Sequence, residues 1–258
     1  MPLRFSDGQL NILTLVSDQP GGFSTEQFGQ IYEVLPTLSR LFESHALRIS
    51  SATLLRTYLG PNAGQRVMDG PVKRGDGEDI HAAIWITDLR DSTSLAASLS
   101  RDDYLSLLNS YFDTVAGAVI DHGGEVLKFI GDSVLAIFAI DDPDEKQPDA
   151  CARALAAAGA ASRQFEAVNQ ERAADGAPSL GFDIALHRGD LTYGNIGTTK
   201  RLDFTVIGSA VNEASRIEGL SKTLHRQILT SSKFRDSVPD PLTSLGHHSL
   251  RGVTGERE

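Results

Sequence analysis

Two aspartates, Asp88 and Asp132, stand where an apolar segment gives way to a turn, and both suit a divalent cation. Asp88 follows residues 84–87, which predict a strand, and Asp132 lies at the tip of a predicted hairpin over residues 128–134. If these strands are neighbours in one sheet, the two carboxylates converge. Two carboxylates that share a pair of divalent ions are typical of phosphoryl or nucleotidyl transfer, because the ions stabilise both the entering and the leaving oxygens.

Each aspartate also has a simpler explanation when it is taken alone. Asp88 is followed by a turn into a predicted helix, and it could cap that helix. Asp132 could be an ordinary turn residue. The free amides of the same helix start would, however, donate hydrogen bonds to phosphate oxygens, so a metal-bound polyphosphate suits this place as well.

Other polar residues are compatible with chemistry or with a solvated surface. Asn212 and Arg216 are four residues apart and would share one face of a helix. Lys128 on a strand and Arg251 near the end of the chain are, by themselves, ordinary surface charges. These residues therefore need a wider pattern before a role can be assigned.

The elements that must position these residues form a regular succession from residue 81 onward. The pattern predicts strands over 82–86, 126–130 and 134–140, and a strand pair over 182–186 and 191–194. It also predicts three helices: one whose apolar face runs from Tyr104 to Val119 and which ends before Gly123, and two over 148–174 and 211–220. Ser100 is the predicted cap of the first helix. Helices segregated over an antiparallel sheet indicate the α+β class, with a ferredoxin-like core.

The first part of the chain has a different character. Residues 9–17 predict a strand, and a helix is expected to open at Ser24 or Thr25. Its apolar residues follow the heptad spacing of a helix that packs on a partner helix or on its own domain: Phe28, Ile31, Leu35, Leu38 and Phe42. Pro36 predicts a kink or a boundary near Leu35, since proline inside a helix costs about 3 kcal/mol.

The domain organisation follows from these patterns and from composition. Residues 59–79 are rich in glycine, proline and charge, and we predict a linker there, between an N-terminal region over 1–58 and a main domain over 80–258. The 258 residues are enough for one large domain with a smaller attachment. The chain begins and stops abruptly enough to be part of a longer protein.

Charge and cysteine content exclude several classes of partner. A formal net charge of −10 argues against nucleic acid and against an anionic membrane surface, although a local basic pocket for a small anion is compatible with it. The single cysteine, Cys151, permits no intrachain disulfide, which fits a reducing compartment. No signal peptide is evident and no apolar run approaches the roughly 20 residues that span a bilayer, so we expect a cytoplasmic location without a membrane segment.

Several short motifs that contain these polar residues, taken in sequence order, resemble motifs of the class III adenylyl and guanylyl cyclases. The first metal motif of that family, Phe-x-Asp-Ile-x-Gly-Phe-Thr, is similar to residues 86–93. The second, Lys-x-x-Gly-Asp, is matched by residues 128–132, and the stretch Val-Asn-x-Ala-x-Arg is matched by residues 211–216. The order and spacing agree over roughly residues 80–255, and several blocks in sequence order are far more specific than any one of them.

The resemblance implies a metal centre and a base pocket. Asp88 and Asp132 would bind two divalent cations, Mg²⁺ or Mn²⁺, with the Leu89 carbonyl as a further ligand. Lys128 would contact the purine edge and Thr205 would occupy the second base-selecting position. Because guanylyl cyclases place an acid and a cysteine at these two positions, the lysine and threonine favour ATP.

The resemblance also implies the reaction and the assembly. Asn212 would orient the ribose, Arg216 would meet the charge that builds on the α-phosphate, and Arg251 would replace a family lysine at the terminal phosphates. The reaction is conversion of ATP to 3′,5′-cyclic AMP and pyrophosphate by in-line attack of the 3′-hydroxyl. The family works as a head-to-tail homodimer in which the metal aspartates come from one subunit and the other groups from its partner.

Two positions depart from the family pattern. Asp91 replaces a glycine and adds a negative charge near the expected triphosphate path. Asp183 stands where some relatives have a phosphate-binding arginine, so that contact is either absent or supplied by Arg188. The residues do not identify a general base, and Asp88, solvent or the substrate itself remain alternatives.

Two other interpretations are compatible with the sequence. The chain could be a guanylyl cyclase or a cyclase of relaxed base preference, or a silent cyclase-homology domain that regulates without turnover. A pure dimerisation scaffold would leave the polar blocks unexplained. Residues 1–58 weakly resemble the end of a GAF-like sensor followed by a signalling helix, which would set how two catalytic halves meet.

Overall fold

The computed structural model describes residues 1–70, 73–142, 144, 146, 149–174, 176–177 and 179–258, which form two compact units, Met1–Gly70 and Pro71–Glu258. The first unit contains an antiparallel strand pair and two helices: β1 (Pro2–Arg4), β2 (Leu10–Ile12), α1 (Thr25–Leu59) and α2 (Pro61–Asp69). Helix α1 begins where the sequence predicts, since Ser24 accepts a hydrogen bond from the Gln27 amide at 3.2 Å and the Gln27 side chain accepts one from the Ser24 amide at 2.8 Å.

Helix α1 runs through Pro36 without ending, so of the kink or boundary predicted near Leu35 the boundary is wrong. A proline costs one backbone hydrogen bond and some crowding, but hydrogen bonds along the rest of this 35-residue helix remain. Packing within the first unit also holds this part of α1: Leu35 and Glu43 are buried, and Glu43 accepts a hydrogen bond from the Ser6 amide at 2.8 Å.

The stretch predicted as a linker, residues 59–79, contains helix α2 and the start of a strand at Gly77. Pro61 is the first residue of α2, a position where the missing amide costs nothing. Gly64 lets α2 approach α1 closely, because a β-carbon there would lie 2.9 Å from the Arg56 nitrogen. Composition alone could not reveal this short helix, since the same residue types also make turns.

The second unit is built on a six-stranded sheet. Its elements in chain order are β3 (Gly77–Leu89), α3 (Ser92–Ser98), α4 (Arg101–Asp121), β4 (Glu125–Ile130), β5 (Ser133–Ile140), α5 (Asp149–Ala174), β6 (Phe182–Gly197), β7 (Leu202–Ile207), α6 (Ser209–Leu224), β8 (Ile228–Thr230), α7 (Ser232–Arg235), β9 (His248–Ser249) and β10 (Glu256–Arg257). The strand order is β4-β5-β3-β6-β7, with β8 parallel to β6 and every other pairing antiparallel. The succession β3-α4-β4-β5-α5-β6 in this order is ferredoxin-like, which confirms the predicted α+β class.

One predicted strand pair is a single strand. Residues 182–186 and 191–194 both belong to β6, which pairs with β3 from Phe182 opposite Leu89 to Gly194 opposite Gly77. The ladder with β3 continues through the polar residues between these two ranges. Strand pairing with a long neighbour therefore outweighs the local pattern.

Alternating residues of β3 face two different helical layers. Ala83 and Trp85 pack in the main core with α4 and α5, whereas Ala82 and Ile84 pack in a second cluster with residues of α6. Asp88 has the same parity as Ala82 and Ile84 and so lies on the α6 face of the sheet. No helix among the described residues is long and apolar enough to cross a membrane.

Candidate active site

Asp88 lies at the end of the central strand β3, between β5 and β6. It is opposite Ser133 on β5 and Asp183 on β6, and its side chain is 22% exposed. The Ser133 hydroxyl donates to the Asp88 Oδ1 atom at 2.5 Å, and the Lys222 ammonium lies 3.9 Å from Oδ2. The carboxylate is therefore held in place but still reachable.

Asp132 reaches the same point through a two-residue turn. Ile130 of β4 pairs with Ser133 of β5, so the turn consists of Gly131 and Asp132 alone. Gly131 has a φ of 65°, as the first residue of such a hairpin turn commonly requires. The tight turn between β4 and β5 therefore places Asp132 next to Asp88, since Ser133 lies opposite Asp88.

The surroundings of Asp88 raise its pKa above the ordinary value of an aspartate. Burial raises the pKa of Asp88, the hydrogen bond from Ser133 lowers it, the charge of Asp132 raises it, and Lys222 lowers it. Repulsion between neighbouring carboxylates is what a bound cation relieves. Sequence reasoning missed Ser133, although it directly follows Asp132 in the hairpin.

The donor set fits a cation that arrives with a nucleotide. No group of three or more histidine, cysteine, aspartate or glutamate side chains within the described ranges could hold a metal by itself. The available protein donors are the carboxylates of Asp88 and Asp132, with the backbone of Leu89 next to Asp88 in β3. Mg²⁺ is usually bound by one or two carboxylates together with substrate phosphates and water, which matches this arrangement.

The turn after β3 explains the departure at Asp91. Asp91 has a φ of 57°, in the left-handed region, and its side chain is exposed. A glycine adopts this conformation easily, and aspartate is one of the few other residues that tolerate it. Position 91 thus requires a residue that tolerates a left-handed backbone conformation, and the side chain of Asp91 is exposed to solvent.

Asp183 has a structural partner. It is fully buried, and Arg90 donates to its Oδ1 atom from Nε at 2.9 Å and also from Nη2. The Arg90 amide donates to the Gly181 carbonyl at 2.8 Å, so the side chain and backbone of Arg90 are both tied to the start of β6. Asp183 therefore fixes the turn that follows Asp88 and is not directed at a phosphate.

Arg188, the other candidate for the phosphate contact considered at position 183, lies away from Asp88 within the same chain. It lies opposite Ala83, five residues before Asp88, or about 16 Å along the strand. Its guanidinium donates to His81 at 2.9 Å and to Ser237 at 2.7 Å. Of the two alternatives drawn from the sequence, the structure favours absence of this contact within one chain.

The base-pocket candidates lie near β7. Lys128 on β4 forms an ion pair with Asp203 on β7. Asp203 and Thr205 are two residues apart in the same strand and share one face. The structure thus places Lys128 beside the strand face that carries Thr205. The sequence analysis did not identify Asp203. The alternation of side chains between the two faces of β7 could have indicated that Asp203 lies on the same face as Thr205.

Helix α6 presents three different faces. Ala210, Ala214 and Ile217 are buried against the sheet. Asn212 and Arg216 lie on a second face and are exposed. The helix therefore directs these two candidates away from the sheet that carries the aspartates of the same chain.

The third face of α6 is directed at the carboxylates. Lys222 reaches Asp88, and Glu218 lies one turn before it. Burial, together with the negative charges of Asp88 and Asp183, raises the pKa of Glu218 to about 7. Sequence reasoning missed both residues, although their spacing of four places them on one helix face.

Arg251 lies outside this cluster. It is exposed in the turn between β9 and β10, next to the buried Leu250. Within the described part of the chain it has no ion pair with Asp88 or Asp132. The structure therefore brings Asp88 and Asp132 together and sets Lys128 beside Thr205, while Asn212, Arg216 and Arg251 lie elsewhere on the surface.

Comparison with known proteins gives a family. Residues 78–250 match the adenylate and guanylate cyclase catalytic domain. An adenylate cyclase of Anabaena cylindrica is 36% identical over 175 residues, which are 66% of this chain and 33% of that protein. An uncharacterized protein of Mycobacterium tuberculosis is 31% identical over 219 residues, which are 84% of this chain and 38% of that protein. The chain thus spans less than half the length of these relatives.

Solved structures agree on the fold. The guanylyl cyclase Cya2 is 29% identical, with a TM-score of 0.59 over 70% of this chain and 90% of that chain. The adenylyl cyclase CyaB from P. aeruginosa, at 24% identity, has a TM-score of 0.63 over 70% of this chain and 93% of its own. With the family match covering most of the second unit, the chain belongs to the adenylate and guanylate cyclase catalytic domain family.

Proposed function

We propose that this chain is an adenylate cyclase that converts ATP to 3′,5′-cyclic AMP and pyrophosphate. The observation that carries the proposal is the convergence of Asp88 and Asp132, close enough for the charge of one to raise the pKa of the other. Such a pair suits a metal-bound triphosphate, because two carboxylates can share the divalent cations that accompany it.

In the proposed reaction the ribose 3′-oxygen forms a bond to the α-phosphorus as the bond from that phosphorus to the β-phosphate oxygen breaks. Pyrophosphate leaves, and the hydroxyl proton is released. Two divalent cations bound at Asp88 and Asp132 would stabilise the entering and leaving oxygens. Arg216 would meet the charge on the α-phosphate, Asn212 would orient the ribose, and Arg251 would bind the terminal phosphates.

The geometry of one chain supports a shared site. The face of α6 that holds Asn212 and Arg216 is exposed, while a different face, with Glu218 and Lys222, is directed at Asp88. One helix cannot present both faces to the same nucleotide. We therefore propose a head-to-tail homodimer in which each site combines the aspartates of one subunit with α6 of the other.

The base preference is proposed from Lys128 and Thr205. The ion pair with Asp203 directs the Lys128 ammonium toward β7, where Thr205 lies on the same face as Asp203. A lysine there donates to adenine N1, and the relative from Anabaena cylindrica is an adenylate cyclase. GTP is the second candidate because the structurally similar Cya2 is a guanylyl cyclase.

The test is cyclic nucleotide formation by the purified chain from ATP or GTP, with Mg²⁺ or Mn²⁺. Asp132→Ala should abolish product, whereas the matched control Asp113→Ala, an exposed acid on α4, should not. Cyclic AMP that depends on Asp132 supports the proposal. Formation of cyclic GMP alone would mean that the substrate is GTP. Absence of any product from a verified dimer would favour the silent regulatory domain.

For the first unit we propose a signalling role over residues 1–58. The support is the long helix α1, whose apolar side chains Phe28 and Phe42 are 41% and 47% exposed. A helix with an exposed apolar stripe can pair with a second copy. Deletion of residues 1–58 should change dimerisation or cyclase rate, and unchanged values of both would contradict this role.

A further inference from the structure

A cavity of about 570 Å³ lies in the second unit, away from the carboxylate pair. Its walls come from the C-terminal half of α6, from β8 and α7, and from the segment after residue 241. Ile217, Leu220 and Leu224 supply one apolar wall, since their spacing places them along one side of α6. The volume is within the roughly 300–1,000 Å³ usual for small-molecule sites.

The packing around this cavity is incomplete. The hydrophobic cluster beside it has only four buried members, Ala185, Ile217, Leu229 and Leu250, within the described residues. Leu220, Leu224 and Val253 pack against that cluster but remain partly exposed. An apolar ligand body would cover these side chains and gain the free energy of their burial.

The rim of the cavity is basic, in contrast to a chain with a net charge of −10. Three arginines line it, Arg226, Arg235 and Arg257, against a single lining carboxylate, Glu258. Arg235 pairs with Asp236 at 2.7 Å and lies 3.9 Å from Glu258, and Arg257 pairs with Glu213 at 3.0 Å.

Arg226 differs from the other two arginines, since it has no ion-pair partner within the described ranges. An unpaired guanidinium beside an apolar cavity suits the head group of an amphipathic anion, because its fork binds a carboxylate with two hydrogen bonds.

We propose that this cavity binds a small amphipathic carboxylate, with its apolar body against Leu220 and Leu224 and its head group at Arg226. The site is separate from the nucleotide site, and it lies on the same helix as Asn212 and Arg216. A ligand there would favour particular positions of α6 and so change the cyclase rate. That consequence rests on the proposed function, whereas binding itself does not.

Binding is tested by calorimetry with the whole chain and decanoate, below the concentration at which decanoate forms micelles. We expect saturable binding of one decanoate per chain. Arg226→Ala should weaken it at least about tenfold, since a charge-assisted hydrogen bond is lost. Leu224→Trp should abolish it by filling the cavity. The matched control Arg101→Ala removes an exposed arginine outside the cavity and should leave the affinity unchanged.

Uncharged 1-decanol has the same apolar body as decanoate but no carboxylate, so it tests the contact with Arg226 by itself. It should bind about tenfold more weakly than decanoate. Absence of saturable binding, or an affinity for decanoate that neither Arg226→Ala nor Leu224→Trp changes, would overturn the site. Thermal melting verifies that each variant is folded. Arg226→Ala should not unfold the chain, because the Arg226 side chain is exposed. Binding without any cyclic nucleotide product would uphold the site and count only against the enzyme.

Discussion

The carboxylate end of the sheet and the outer face of α6 contain the two halves of the proposed active site, and they are built differently. At the carboxylate end, Asp88 is held by Ser133, and the turn beyond it is tied to β6 by Arg90 and Asp183. On α6, Asn212 and Arg216 are exposed. The two regions thus differ in order: hydrogen bonds within the chain hold the carboxylate end, whereas the polar side chains of α6 face solvent.

The largest expected effect comes from separating these halves between two chains. Asp132→Ala and Arg216→Ala should each lose about a thousandfold in activity, on the order of 4 kcal/mol of transition-state stabilisation. Mixed in equal amounts, they should recover about a quarter of the wild-type rate. Half of the dimers are then mixed, and each mixed dimer has one intact site.

The measurement is initial cyclic AMP formation after co-refolding or long incubation of the two variants together. Each variant mixed with itself is the control. A mixture that stays as inactive as its components, although subunit exchange is demonstrated, would show that each chain forms its own site.

The next effect tests the rigidity of the carboxylate end. Arg90→Ala leaves the fully buried Asp183 without its partner, and we expect a loss of about 3 kcal/mol in the free energy of unfolding. Urea unfolding measures it. Arg235→Ala removes an arginine from an exposed pair with Asp236 and should cost less than about 1 kcal/mol. Equal losses in the two variants would mean that the Asp183 pair does not stabilise this end.

A pH-dependent effect of similar size is expected from His187 in β6, on the α6 side of the sheet. Burial lowers the pKa of His187 to about 4, from about 6.5 when unfolded. The neutral ring accordingly favours folding above pH 6.5, and roughly 3 kcal/mol is lost as the pH falls from about 6.5 to about 4.

Unfolding of the wild type and of His187→Gln should be compared across this range. The difference between them isolates His187 from Glu218, whose raised pKa acts in the opposite direction. A wild type that loses no more stability than the variant on acidification would contradict the buried neutral ring.

The smallest effect concerns the turn after Asp88. Asp91→Gly relieves a left-handed conformation and should change the free energy of unfolding by less than about 1 kcal/mol. His225→Gly is the matched comparison, because His225 also has a positive φ, of 51°. Because the Asp91 side chain is exposed, activity should hardly change, and a large gain in ATP affinity would show that its charge does repel the triphosphate.

Much of the fold could be predicted because its signals are local. Ser24 and Ser100 cap α1 and α4 as expected, and the hairpin that holds Asp132 has the expected turn. The continuous β6 and the helix α2 could not be predicted, since β6 is imposed by pairing with β3 and α2 by close packing on α1. Local patterns do not contain these long-range contacts.

The candidate site divides in the same way. The sequence by itself determined the types and order of the polar residues, and hence the family, because motif chemistry depends on neighbours along the chain. Only the tertiary structure decided that Asp183 pairs with Arg90, that Lys128 pairs with Asp203, and which face of α6 is directed at the carboxylates. Those outcomes depend on strand register and helix rotation, which are settled by contacts between residues far apart in the chain.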